Sequence, residues 1–285
     1  MRKWLFCSWS KGAVVDAALP LSVRRVALVI QYIGLDFCGW QRQSRDPSVQ
    51  QTIEDVLSEL CNHPITLHGA GRTDTGVHAA AQVAHFDTTS VIPPERWAKV
   101  LNARLPNGIL IRESAEVPLS WHARFSATWR RYRYTLFTAA IANLFIGQFS
   151  WHYYLSPLDA GLMQAALEPM LGEQDLAALQ RSGSQRRHAR LEVQKAVCWR
   201  EQHFVYVEVQ ASGFLYGMMR LLVGLLVDVG RSQLSVSEFT RIWQQRLRHR
   251  VKYAAPPQGL CLLGVGYREH PFGEATCQSA LFTLR

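Results

Sequence analysis

Apolar and polar positions change period along this chain, and the changes lay out its elements. Residues 24–32 (RRVALVIQY) read as a strand, five consecutive apolar positions following two arginines. After a loop rich in glycine and aromatics at 33–43, Ser48 opens a helix. Gln51 stands at the capping-box position, and Val49, Ile53, Val56, Leu57 and Leu60 recur at helical spacing. A short strand near 65–68, a glycine-bracketed loop at 69–78 and a strand at about 81–86 follow. Pro93-Pro94 predicts a helix running through Leu105, and strands are expected at 109–117 and 130–138.

A second pattern begins after 139–150. Leu158 to Leu171 has helical spacing, and 181–190 is polar and turn-like. Strands are expected at 191–200 and 204–210, the second alternating Phe204, Tyr206 and Glu208 against Val205, Val207 and Val209. An apolar helix at 214–229 leads to another from Ser235 to Leu247, where Ser235 and Glu238 form a capping-box pair. The last strand is 260–267. This order predicts the α+β class: two α+β halves, 24–138 and 151–268, with largely antiparallel sheets, connected by 139–150. Residues 1–23 read as a disordered extension or an upstream start, with a basic character weakly compatible with a transit peptide, and 269–285 as a tail.

Composition narrows the class. The 285 residues are 48% hydrophobic, and only 19% are charged, yet 31 Lys and Arg stand against 22 Asp and Glu. A net charge of +9 on so few charges argues against disorder and for an anionic partner, nucleic acid before a membrane surface. The excess lies in 1–25, 122–133, 181–200 and 241–252, on a background that is net acidic. The six cysteines are scattered without C-x-x-C spacing and read as free thiols of a reducing compartment, hence cytoplasmic. The histidines do not join them at zinc-ligand spacings. The longest apolar run, 214–230, is too short to span a membrane and carries Arg220 and Asp228.

Three constellations carry candidate chemistry. In Gly69-Ala-Gly-Arg-Thr-Asp-Thr-Gly-Val-His78, glycines allow close approach of a ligand, and Arg72, Asp74 and His78 place polar groups between two strands. An ordinary turn, with Asp74 capping a backbone amide or pairing with Arg72, is the alternative. Arg220 sits in an apolar helix and needs an anionic partner. Asp228 is eight residues on, about 12 Å along the axis, so an acidic loop from elsewhere is favoured, Asp74 being best placed. Finally, His122-Ala-Arg-Phe-Ser126 precedes Arg130-Arg-Tyr-Arg-Tyr134. Alternation sends Arg131 and Arg133 to one face and Tyr132 and Tyr134 to the other. Arginines interleaved with rings suit single-stranded RNA; a solvated edge strand with core tyrosines is the other reading. There is no P-loop, no G-x-S-x-G, no H-E-x-x-H and no G-x-G-x-x-G opening a helix.

With these residues in view, the chain resembles the tRNA pseudouridine synthase A family. Gly71-Arg-Thr-Asp-Thr-Gly-Val-His78 is similar to its catalytic loop. Gly39-Trp-Gln-Arg-Gln43, Asn102-Ala-Arg-Leu-Pro106, His122 to Ser126, Arg130 to Tyr134, Phe214 to Arg220 with Val223-Gly224, and Gly259-Leu260 follow in the family's order over roughly 24–267. The resemblance implies the pseudouridine synthase fold, two α+β halves joined around a central basic cleft, usually as a homodimer. It implies isomerisation of uridine at nucleotides 38 to 40 of the tRNA anticodon stem-loop, without cofactor or metal and without a membrane. Carried over, Asp74 is the catalytic nucleophile, Tyr132 stacks on the uracil and assists proton transfer, and Arg220 pairs with Asp74. Leu260 packs near the base, and Arg72 holds it flipped out. His122, Arg124, Phe125, Arg130 and Arg131 would meet RNA. An inactive RNA-binding relative or RNA chaperone is the alternative, though it would be expected to lack Asp74 or Tyr132. The chain departs from the family at Ile33, where an aspartate is usual, and at Asp175-Leu-Ala-Ala-Leu179, where aromatics are usual.

Overall fold

The computed structural model describes residues 22–44, 46–181 and 188–272. Most of the expected extension and tail, and 182–187 of the turn-like stretch, lie outside these described residues. In chain order the strands are β1 (Arg24–Tyr32), β2 (His68–Gly69), β3 (His78–Thr88), β4 (Ile109–Val117), β5 (Ala127–Phe137), β6 (Trp151–His152), β7 (Gly172–Asp175), β8 (Arg190–Glu201), β9 (Phe204–Ala211) and β10 (Leu260–Tyr267). The helices are α1 (Val49–Cys61), α2 (Trp97–Asn102), α3 (Leu144–Gly147), α4 (Ala160–Leu167), α5 (Met218–Gly230) and α6 (Val236–Gln244).

One mixed sheet runs β4-β1-β3-β10-β5-β9-β8-β7, with β2 added to β3 and β6 to β5. Its pairings are antiparallel except β10 with β3 and β5 with β6. The α+β class expected from the sequence is what the structure shows. Strand β1 is buried on both faces from Val26 to Ile30, which is why its sequence is a run rather than an alternation. Strand β10, from late in the chain, lies between β3 and β5: Cys261 is opposite His78 on one side and Arg133 on the other.

Local chemistry sets the ends of the elements. Ser48 Oγ accepts from Gln51 N–H at α1, and at α6 both halves of the Ser235–Glu238 capping box form. Helix α2 stops at Asn102, short of the expected Leu105, before Pro106. Helix α4 gives way to a 3-10 turn over Glu168–Met170, where Pro169 has no N–H to continue the α ladder. Helix α5 starts at Met218 rather than 214 because Gly217 is left-handed, φ +69°. All of α5 except Arg220 and Asp228 is buried, and α4 and α6 pack against it. The short strand expected at 65–68 pairs only at His68–Gly69.

Candidate active site

The loop from β2 to β3 is held by its surroundings at Ala70, Gly71, Thr73 and Thr75. Ala70 N–H donates to Val83 O at 2.8 Å, and Gly71 O accepts from Gln82 Nε2 at 2.7 Å. Trp40 N–H donates to Thr73 O at 3.1 Å, while the Tyr32 hydroxyl meets Thr73 Oγ1 at 2.8 Å. Thr75 Oγ1 donates to Cys38 O at 3.0 Å, and Val77 N–H closes onto Asp74 O at 3.1 Å. Gly39, at φ +103°, backs the loop so closely that a Cβ there would lie 2.6 Å from Thr73 O. At Ile33 and Gly34 the backbone makes the bonds: Ile33 N–H to Gly108 O at 3.0 Å and Gly34 N–H to His78 Nδ1 at 3.1 Å. Such anchoring orients a side chain without relying on substrate.

That side chain is Asp74. Arg220 Nη1 donates to its Oδ2 at 3.0 Å, with both side chains mostly but not fully buried, at 15% and 17% exposure. Arg220 stands in the first turn of α5, and its Nε also donates to Ala255 O at 2.7 Å. Segment 253–255 can approach α5 because Gly224 has no side chain: a Cβ would lie 2.7 Å from Tyr253 O. Asp228, the other carboxylate near Arg220 in sequence, pairs with Arg231 at 2.8 Å and accepts from the Tyr253 hydroxyl at 3.2 Å.

Tyr132 is buried on the same side of the sheet, its ring edge-on to Phe214 at 4.7 Å. Its hydroxyl is 3.8 Å from where a Cβ on Gly71 would stand. Burial raises its phenol well above the usual range, with Arg130 opposing the rise and Asp74 adding to it. Leu260 is buried opposite Tyr134, two residues before Leu262 opposite Tyr132. Gly259 is required there, since a Cβ would lie 2.6 Å from the Tyr134 ring. Tyr134 is a core residue whose hydroxyl donates to Pro256 O at 2.7 Å.

The cations divide into outward and inward groups. Arg72 is exposed with no hydrogen bond or ion pair among the described residues. Arg124 is exposed, and Phe125 beside it is 77% exposed, with the guanidinium 5.7 Å from the ring. His122 turns inward, its Nδ1 accepting from Arg124 N–H at 3.0 Å. Arg130 is held by backbone carbonyls, and Arg131 lies on the opposite face against Gln210 Oε1 (2.6 Å) and the Trp129 ring (5.1 Å). On that face the buried Glu208 collects Arg133 at 2.8 Å and Lys195 at 3.4 Å. Among the described residues no three His, Cys, Asp or Glu side chains converge to hold a metal ion.

Strand β3 supplies residues that pattern reading misses. Gln82 and His85 are buried polar side chains in the apolar run from Ala79 to Phe86, and each, like the already expected His78, fastens a loop. Their polarity amid Ala79, Ala80, Ala81, Val83 and Ala84 is the signal that could find them. His78 Nε2 reaches Gln148 O at 3.1 Å, and His85 Nδ1 accepts from Ala123 N–H at 3.2 Å. That bond needs a neutral imidazole. Burial, with His122, Arg25 and His68 nearby and Asp87 opposing, pushes His85 down to about 3 from 6.5. The unfolded chain therefore takes this proton first as pH falls. The stabilisation is complete above pH 6.5 and is lost toward pH 3, at about 1.4 kcal/mol per pH unit. Urea unfolding at pH 7.5 and 5.5 should show a larger loss for the wild type than for His85→Gln; equal losses would contradict the assignment.

A family model described as "tRNA pseudouridine synthase" matches residues 28–126, which hold Asp74, and 166–268, which hold Arg220 and Leu260. The chain belongs to the tRNA pseudouridine synthase family, and it is an isomerase. It is 60% identical over 249 residues to the tRNA pseudouridine synthase A of Rippkaea orientalis, covering 87% of this chain and 85% of that protein. It is 58% identical over 260 residues to the protein of the same name from Thermosynechococcus vestitus, covering 91% and 92%. For that of Nostoc sp. the identity is 56% over 259 residues, covering 91% and 92%.

Proposed function

We propose that this chain converts uridine to pseudouridine at nucleotides 38 to 40 in the anticodon stem-loop of tRNA, with Asp74 as nucleophile. The observation that carries the reading is a carboxylate fixed by Arg220 at 3.0 Å in a loop anchored on both sides, yet still open to solvent. The bond from N1 to ribose C1′ breaks, the uracil turns, and C5 takes the place of N1 on C1′. The C5 proton leaves and a proton ends on N1, so atoms balance without a cofactor. Asp74 attacks either C1′ or uracil C6, and both attacks use the carboxylate. Tyr132, its hydroxyl kept protonated by burial, lies under the base and serves proton transfer. Leu260 packs against the base.

The target base has to leave its stack, which costs a few kcal/mol. Arg72, exposed two residues before Asp74, is placed to hold the extruded nucleotide, and the Arg124–Phe125 pair offers a charge and a ring to the stem-loop. We assign the protein to the cytoplasm, where its substrate is abundant; no helix among the described residues is long and apolar enough to cross a membrane. We also propose a homodimer, supported by the exposed apolar side chains Ile141, Leu144, Phe145, Tyr154 and Leu155. Mapping pseudouridine in tRNA from cells lacking this protein tests the substrate. Loss of the modification at 38 to 40 is expected, and an unaltered anticodon arm would overturn the reading.

A further inference from the structure

The sequence groups Arg130 with the RNA-facing arginines, but its side chain is saturated from within. Nη1 donates to Ser212 O at 3.1 Å and Ala127 O at 3.3 Å; Nη2 donates to Ala70 O at 3.0 Å and Arg124 O at 2.6 Å. A guanidinium has four N–H bonds on its two terminal nitrogens, and all four are accounted for. A fork in that state has no pair of terminal donors left to grip a phosphate.

The acceptors are informative. Ala70 precedes Gly71 in the loop that carries Asp74. Arg124 belongs to the 122–126 turn, which exposes Arg124 and Phe125. Ser212 begins the connection from β9 to Phe214, whose ring touches Tyr132 at 4.7 Å. One planar group therefore ties the loop with the nucleophile, the turn that faces RNA and the wall behind the tyrosine. Arg130 itself is two residues before Tyr132 on β5, on the same face.

We propose that Arg130 is a positioning residue that couples the 122–126 turn to the catalytic loop, so that seating RNA on Arg124 and Phe125 sets the position of Asp74. This inference rests on the function proposed above. It separates binding from catalysis in a way that a phosphate contact does not. Lysine keeps the charge but, as a single nitrogen on a flexible stem, cannot span carbonyls on three separate segments.

The test uses the full-length protein with an unmodified tRNA transcript, measuring single-turnover pseudouridine formation at saturating RNA and tRNA affinity across a salt series. Arg130→Lys should lower the rate by roughly 100-fold, as a 1 Å misplacement can. Its tRNA Kd should stay within about threefold and its salt slope should be unchanged. Arg124→Ala, by contrast, should weaken binding and reduce the salt slope by about one. A second arm compares the cost of Phe125→Ala on the single-turnover rate in wild-type and Arg130→Gln backgrounds. Coupling predicts a smaller cost once Arg130 is gone; additive costs would overturn it. A weakened Kd with an intact rate in Arg130→Lys would mark Arg130 as a phosphate contact and overturn the proposal. Loss of rate only in proportion to loss of folded protein, followed by circular dichroism, would reduce it to a structural role. If the wild type does not convert the transcript, the functional reading itself falls; if it does and Arg130→Lys matches it, this inference alone falls.

Discussion

Asp74→Ala should reduce pseudouridine formation by roughly 10⁴-fold or more, the scale seen when a nucleophile is deleted, while tRNA binding stays within a few-fold. The separation follows from geometry. Asp74 is mostly enclosed and paired with Arg220, whereas Arg72, Arg124 and Phe125, the side chains proposed to meet RNA, are exposed. Deleting the carboxylate leaves the loop's backbone bonds from Ala70, Gly71 and Thr73 in place, so the RNA surface is not dismantled. It does leave the Arg220 guanidinium with Ala255 O as its remaining hydrogen-bond partner among the described residues, a cost of about 1–3 kcal/mol in stability. Asp74→Asn, which preserves shape, should be comparably inactive and better folded. Mapping the modification in a tRNA transcript, with a binding assay in parallel, checks both variants. Turnover near wild type by purified Asp74→Ala would remove Asp74 from the mechanism.

Arg220→Met is expected to lower the rate by roughly 10²-fold, the scale on which misplacing a reacting group costs, because the guanidinium orients the Asp74 carboxylate. Stability should change less than activity. Methionine suits an apolar helix, and apart from the bond to Asp74 the substitution removes a hydrogen bond to the Ala255 carbonyl. Arg220→Lys should recover part of the rate, since charge is restored but not the two-pronged hold on Asp74 and Ala255. Chemical denaturation and single-turnover rates on the same preparations decide the matter. A rate within threefold of wild type would show that the ion pair serves the fold alone.

Much of this architecture can be read from residue patterns, and the limits have physical causes. Strand β9 falls where alternation places it, because that signal is local. The apolar pattern starts α5 too early because Phe214 to Tyr216 are as apolar as the helix; only the left-handed Gly217 divides them. The Asp74–Arg220 pair is legible from a negative argument, a guanidinium in an apolar helix that must find an anion. What fastens the loop is not. Gln82, His85 and Tyr32 act on groups 11 to 41 residues away, two peptides and the Thr73 hydroxyl, and nothing in their local sequence announces the partner. Arg130 shows the same limit: alternation gives its face, but three-dimensional closure gives its carbonyls.

The position of β10 also has a consequence for how the protein comes into being. Tyr132 on β5 and the loop that enters β3 belong to strands that are not neighbours; β10 is the plank laid between them. During synthesis, chains fold from the N-terminal side at the pace of translation. A ribosome that has made β3 and β5 has made Asp74 and Tyr132, but not the strand that brings them within reach of one another. Arg220 likewise meets Ala255 only as that last stretch emerges. In a nascent or truncated chain that lacks β10, Asp74 and Tyr132 therefore stay unassembled until the last strand is made.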